Sequence, residues 1–127
     1  MKIVIKGQVR GGKNNIIVCR NGMRVPSAKF KAWVGSATGQ ILSQVTERFG
    51  DTELKVCIRY FAGDKRRRDI PAIVDALFHV LEKVNITNDD FLIKDLCFYQ
   101  AYDRENPRAE IELYTREVSC GSAKSLT

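Results

Sequence analysis

The sequence predicts one α+β domain, a mostly antiparallel or mixed sheet with two helices packed on it. Three observations carry that expectation. Apolar residues alternate with polar ones near both ends and in the middle of the chain, as in strands with one buried face. Two stretches between them place apolar residues at helical spacing. No repeat, low-complexity run or linker divides the 127 residues, a length that suits one domain. The domain is expected over residues 1–118, with a small, polar, flexible tail over 119–127.

The first strand runs from Lys2 to Arg10, with Ile3, Ile5 and Val9 alternating against polar neighbours. Gly11 to Asn15 breaks it. Ile16–Arg20 and Met23–Val25 flank Asn21-Gly22, a pair suited to the type I′ turn of a hairpin. Ser27 is placed to cap a helix whose stripe is Phe30, Trp33, Val34, Ala37, Ile41 and Val45, ended by Gly50-Asp51. Gly35 and Gly39 weaken that helix and suggest close packing against another element. Leu54, Val56, Ile58 and Tyr60 alternate as a long strand. A second helix follows from about Pro71 to Lys83, with Ile70, Ile73, Val74, Leu77, Leu81 and Val84 as its stripe; proline suits a first turn, where its missing N–H costs nothing. Phe91–Tyr102 and Ala109–Tyr114 are two strands around a turn at Asp103–Pro107.

Composition narrows the function classes. Lys and Arg number 21 against 15 Asp and Glu, a net charge of +6 that favours a polyanionic partner such as nucleic acid. No segment approaches the roughly 20 apolar residues of a membrane span, and the N-terminus lacks the apolar core of a signal peptide. Cys19, Cys57, Cys97 and Cys120 never take CxxC spacing and the chain has one histidine, which argues against structural zinc. Three of the four thiols fall in apparent strands and are expected to be reduced and in or near the core. A cytoplasmic location, in a bacterial or phage-infected cell, is the expectation.

The chemistry concentrates between Gly63 and Asp95. Lys65, Arg66, Arg67 and Arg68 precede Asp69, a helix follows, and Asp89-Asp90 lie in the loop beyond it. Converging carboxylates would form an all-oxygen site suited to magnesium, which activates water and stabilises a leaving oxygen in phosphodiester hydrolysis. Arginines beside them would hold phosphate through charge-assisted hydrogen bonds. Plainer roles fit the same residues: Asp69 as a helix cap, Asp89 and Asp90 as loop solvation, the arginines as a solvated edge. A helix of about 13 residues spans about 20 Å, so Asp69 and Asp90 meet only if the Asn85–Asn88 loop doubles back.

Arg67-Arg68-Asp69, an amphipathic helix and then Asn88-Asp89-Asp90 resemble the signature of the RusA family of crossover-junction endodeoxyribonucleases: an arginine-preceded D-x-D, a helix, and a D-D in the next loop. The N-terminal half is similar more loosely, through Lys13-Asn14-Asn15 before a hairpin and Val25-Pro26-Ser27 opening the first helix. The resemblance covers roughly residues 1–115. It implies a magnesium-dependent homodimer that resolves four-way (Holliday) DNA junctions by paired nicks, in a family found largely in phages and prophages. It places Asp69 and Asp90 on the metal, and Lys65–Arg68 on the DNA backbone.

Two departures stand out. The second acid of D-x-D is Pro71 here, and the family's lysine in the second helical turn is Asp75. Asp75 lies four residues beyond Pro71 on the same face, and helical side chains lean towards the N-terminus. The expected metal set is therefore Asp69, Asp75 and Asp90, also the catalytic residues. Lys13, in a glycine-rich loop, joins Lys65–Arg68 as a DNA contact through a loop whose backbone N–H groups can face phosphates. In the alternative, Asp75 sits on a polar face with His79 and Glu82, the metal site is degraded, and the chain binds branched DNA without cutting.

Overall fold

Lys2–Lys6 forms strand β1, with Ile3 and Ile5 fully buried, in a computed structural model that describes residues 1–10 and 16–116. Gly7 ends the strand at φ +100°, a backbone region that favours glycine. A small hairpin, β2 (Ile16–Val18) and β3 (Arg24–Pro26), follows. Its turn is not the type I′ form expected from Asn21-Gly22. Gly22 takes positive φ but Asn21 does not. The Gly22 N–H bonds the Cys19 carbonyl and the Cys19 N–H bonds the Met23 carbonyl. That is a three-residue loop closed by a glycine bulge.

Helix α1 (Ala28–Leu42) starts where Ser27 accepts a hydrogen bond from the Phe30 N–H at 3.1 Å. Trp33, Val34, Ala37 and Ile41 are buried, while Phe30 and Val45 pack partly against the same core. The helix stops well before Gly50. The Ser43 hydroxyl bonds the Gln40 carbonyl at 2.8 Å, and the Gln44 side chain is drawn to the backbone of Val4. Gly35 and Gly39 do not mark close packing: a Cβ at either would meet nothing within 4 Å among the described residues.

Strand β4 (Leu54–Ala62), helix α2 (Ile70–Lys83), strand β5 (Ile93–Tyr102) and strand β6 (Arg108–Thr115) complete the fold. The α+β class is observed, with a mixed sheet in the order β1-β6-β4-β5. β6 runs antiparallel to β1 and β4, and β5 runs parallel to β4. The Asp103–Pro107 turn therefore closes no hairpin, because β4 lies between the strands it joins. The link crosses the end of β4, where the Asp103 N–H bonds the Ala62 carbonyl at 2.9 Å. Arg108 secures it through Asp103 and Glu110, each at 2.8 Å, with its guanidinium 3.8 Å from the Phe61 ring centre.

The core fills one face of the sheet. Ile3, Ile5, Leu54, Val56, Ile58, Tyr60, Ile111 and Leu113 meet α1 and the buried stripe of α2, which comprises Ala72, Ile73, Ala76, Leu77, Val80 and Leu81. Burying this many aliphatic side chains, at about 1.5–3 kcal/mol each, dominates the gain on folding. No described helix is long and apolar enough to cross a membrane. Cysteine placement differs from expectation. Cys19 follows β2 and is exposed; Cys57 and Cys97 stand opposite one another on the face away from the helices and are half-buried. Cys120 and the expected tail at 119–127 lie outside the described residues, as does Lys13.

Candidate metal centre

The centre is built by the way α2 ends. Asn85 takes φ 61°, its N–H bonding the Glu82 carbonyl at 2.9 Å, while the Ile86 N–H bonds the Leu81 carbonyl at 3.0 Å. This is a left-handed C-terminal cap, with asparagine where glycine is commoner. Ile86 is fully buried behind it, and its carbonyl accepts from the Phe49 N–H. The chain thus reverses direction, and the Asn85–Asn88 loop does double back, as far as the last turns of α2.

Buried Thr87 then fixes the loop by donating to the Asp89 carbonyl at 3.1 Å. Asp89 caps a single 3₁₀ turn (Asp90–Leu92), accepting from the Phe91 N–H at 2.9 Å. The Asp90 N–H donates to the Glu82 carboxylate at 2.8 Å. Glu82, Asp89 and Asp90 consequently each offer a carboxylate oxygen, all within 4.8 Å of one another. Glu82 is half-buried; the other two are exposed.

Electrostatics in this cluster are unbalanced. The Asp90 carboxyl is pushed above the usual aspartate range, first by desolvation and then by the negative charges of Glu82 and Asp89. Asp75 makes a smaller contribution of the same sign. Such a site gains from a cation, and an all-carboxylate donor set suits a hard divalent ion. Glu82, Asp89 and Asp90 are so placed that together they could hold a metal ion.

The sequence-derived residues divide between the two ends of α2. Asp90 belongs to the cluster, and Asp75 stands two helical turns before Glu82, near enough to be felt by Asp90. Asp69 is at the other end. It caps α2 by accepting from the Ala72 N–H at 3.3 Å, about 20 Å along the axis from Glu82. The structure does not bring Asp69 to the cluster. Glu82 was not among the expected ligands. Asn85 carries the signal for it, since a residue able to take positive φ after a helix announces a reversal that returns the loop to the last turn.

The basic run lies beside Asp69. The Arg68 guanidinium is bound to the Asp64 carboxylate at 2.8 Å and to the carbonyls of Asp64 and Arg66, and its side chain is largely covered. It braces the loop. Lys65 lies over the Tyr102 ring at 5.4 Å. Among the described residues, the Arg66 and Arg67 guanidinium groups have no hydrogen-bond or ion-pair partner and are exposed. They are the two heads of the run available to a phosphate. No family model matches the chain, and no match is found among curated proteins.

Proposed function

We propose that this protein is a magnesium-dependent endodeoxyribonuclease of the RusA type, acting as a homodimer that resolves four-way DNA junctions. The observation that carries the proposal is the return of the Asp89-Asp90 loop onto Glu82, which gathers three carboxylates in a chain of net charge +6. Glu82, Asp89 and Asp90 would hold the ion, with Asp75 two turns away on α2. A bound magnesium would lower the pKa of water and offset charge on the scissile phosphate. The protein's own part is to fix the carboxylates in place, through the Thr87 and Asp89 hydrogen bonds and the Glu82 bond to the Asp90 N–H. Arg66 and Arg67 would hold the DNA backbone one helix length away, a span of several phosphates along a duplex arm.

A second reading, a branched-DNA-binding protein that does not cut, is favoured by one specific observation: Asp69 serves as a helix cap at the far end of α2. The deciding experiment is nicking of a synthetic four-way junction, with and without magnesium, by wild type, Asp90→Asn and Asp75→Asn. The nuclease reading expects magnesium-dependent paired nicks, lost in Asp90→Asn with junction binding retained. Loss in Asp75→Asn as well would put that acid in the working set. Tight junction binding with no cutting under any divalent ion would replace the nuclease with the binding protein.

A further inference from the structure

The sheet brings together two cysteines that are far apart in the chain. Cys57 on β4 and Cys97 on β5 are register partners in the parallel pair, with Lys55 opposite Asp95 before them and Arg59 opposite Tyr99 after. Both are free thiols, half-buried, on the face of the sheet away from the helices. The two sulfur atoms lie within hydrogen-bond reach of one another. Neither residue belongs to the hydrophobic core or to the acidic cluster.

Paired strands run about 4.8 Å apart, inside the Cα separation of roughly 4.4–6.8 Å that a disulfide spans. Register partners also send their Cβ atoms to the same face, so the pair meets both conditions for a bridge. A relaxed disulfide holds its Cβ atoms at about 3.8 Å, closer than strand spacing sets them. Closing the bond therefore draws β4 and β5 together, and a bond closed against such a pull is readily reduced. The geometry suits a reversible link better than a permanent staple.

We propose that Cys57 and Cys97 form a dithiol site, which a low-molecular-weight disulfide oxidises to a reversible bond between β4 and β5. The Cys97 thiolate attacks one sulfur of the small disulfide, giving a mixed disulfide and one small thiolate. The Cys57 thiolate then attacks the Cys97 sulfur, closing the protein bond and expelling the second small thiolate. Two protein thiols are oxidised, one small disulfide is reduced to two thiols, and the two protons pass to the departing thiolates. Burial pushes the Cys57 thiol up, which suits it to the second step, where proximity makes up for a small thiolate fraction. The bond would close the segment 57–97, which carries the basic run, α2 and the acidic cluster. Oxidation would thus tie together the strands that lead into and out of α2. The inference stands on the placement of the two thiols and does not depend on the nuclease reading.

The test treats the reduced full chain with oxidised glutathione, alkylates the remaining thiols, and reads intact mass and tryptic peptides. In wild type the peptide Val56–Arg59 is expected to be joined to Asp95–Arg104. In Cys19→Ser/Cys120→Ser the intact mass should fall by two hydrogens, with no glutathione adduct and no alkylation. Adding Cys57→Ser to that variant should leave one glutathione adduct, on Cys97. Circular dichroism verifies that each variant folds. Excess reduced glutathione should return the joined pair to two alkylatable thiols. Two glutathione adducts in place of the bond, or two alkylated thiols after oxidation, overturn the proposal. So does a wild-type link through Cys19 or Cys120 instead of this pair, or a bond that reduced glutathione cannot open.

Discussion

Asp90 concentrates the chemistry at the scale of single residues. Its carboxyl is raised by partial desolvation and by Glu82 and Asp89, so without a cation it is held at an electrostatic cost. Asp90→Asn is expected to raise the metal-free melting temperature slightly. Magnesium at ten times its dissociation constant should add about 1.4 kcal/mol to wild type, a few degrees in midpoint, and nothing to the variant. Thermal melts with and without magnesium check both. Because the ion needs the carboxylate charged, affinity should weaken as pH falls through a value above the usual aspartate range of roughly 4; calorimetric titrations at descending pH would show it. Arg108 has the opposite sign. Its hydrogen bonds hold the Asp103 and Glu110 carboxyls below their ordinary values. Stability from these bonds is complete above the unfolded-state values and is lost as pH falls through the lowered folded ones. The melting difference between wild type and Arg108→Met should therefore be full near neutrality and shrink below roughly pH 4, and melts across that range would reveal a constant difference if the bonds contribute nothing.

Elements set how these residues meet. α2 ends on Asn85 at positive φ, and the reversal there delivers Asp89 and Asp90 to Glu82. Asn85→Gly should be tolerated, whereas Asn85→Ala should cost about 1 kcal/mol and weaken metal binding by loosening the loop. Chemical denaturation paired with metal titration separates the two effects. On α1, Gly35 and Gly39 face open space in helical backbone. Alanine at each should stabilise by about 0.5–1 kcal/mol, read as a rise in denaturation midpoint with an unchanged slope. A loss of stability would mean that something packs on those positions in solution.

Across the whole molecule, charge takes over. Phosphate contacts from Arg66 and Arg67 predict junction binding that weakens steeply with salt, and Arg67→Ala should reduce that slope by about one. Binding insensitive to salt would remove the case for a nucleic-acid partner.

Local rules written in neighbouring residues were legible in the sequence. The alternation of β4, the stripes of α1 and α2, the Ser27 cap and the strands on either side of Asp103–Pro107 all follow from periods of two or 3.6 and from capping chemistry. The α+β class followed from their order, and Asp90 could be singled out as a candidate acid. What joins distant segments was left to tertiary structure. Strand order was decided by which strand could bury a full face, which placed β4 between β5 and β6 although the latter two are consecutive. α1 ended at Leu42 because Gln44 turns to satisfy the backbone of Val4. Glu82, rather than Asp69, met the Asp89-Asp90 pair because a single positive-φ residue reversed the chain. Periodicity assigns a residue to a face of its own element; which faces and ends meet depends on the core they share.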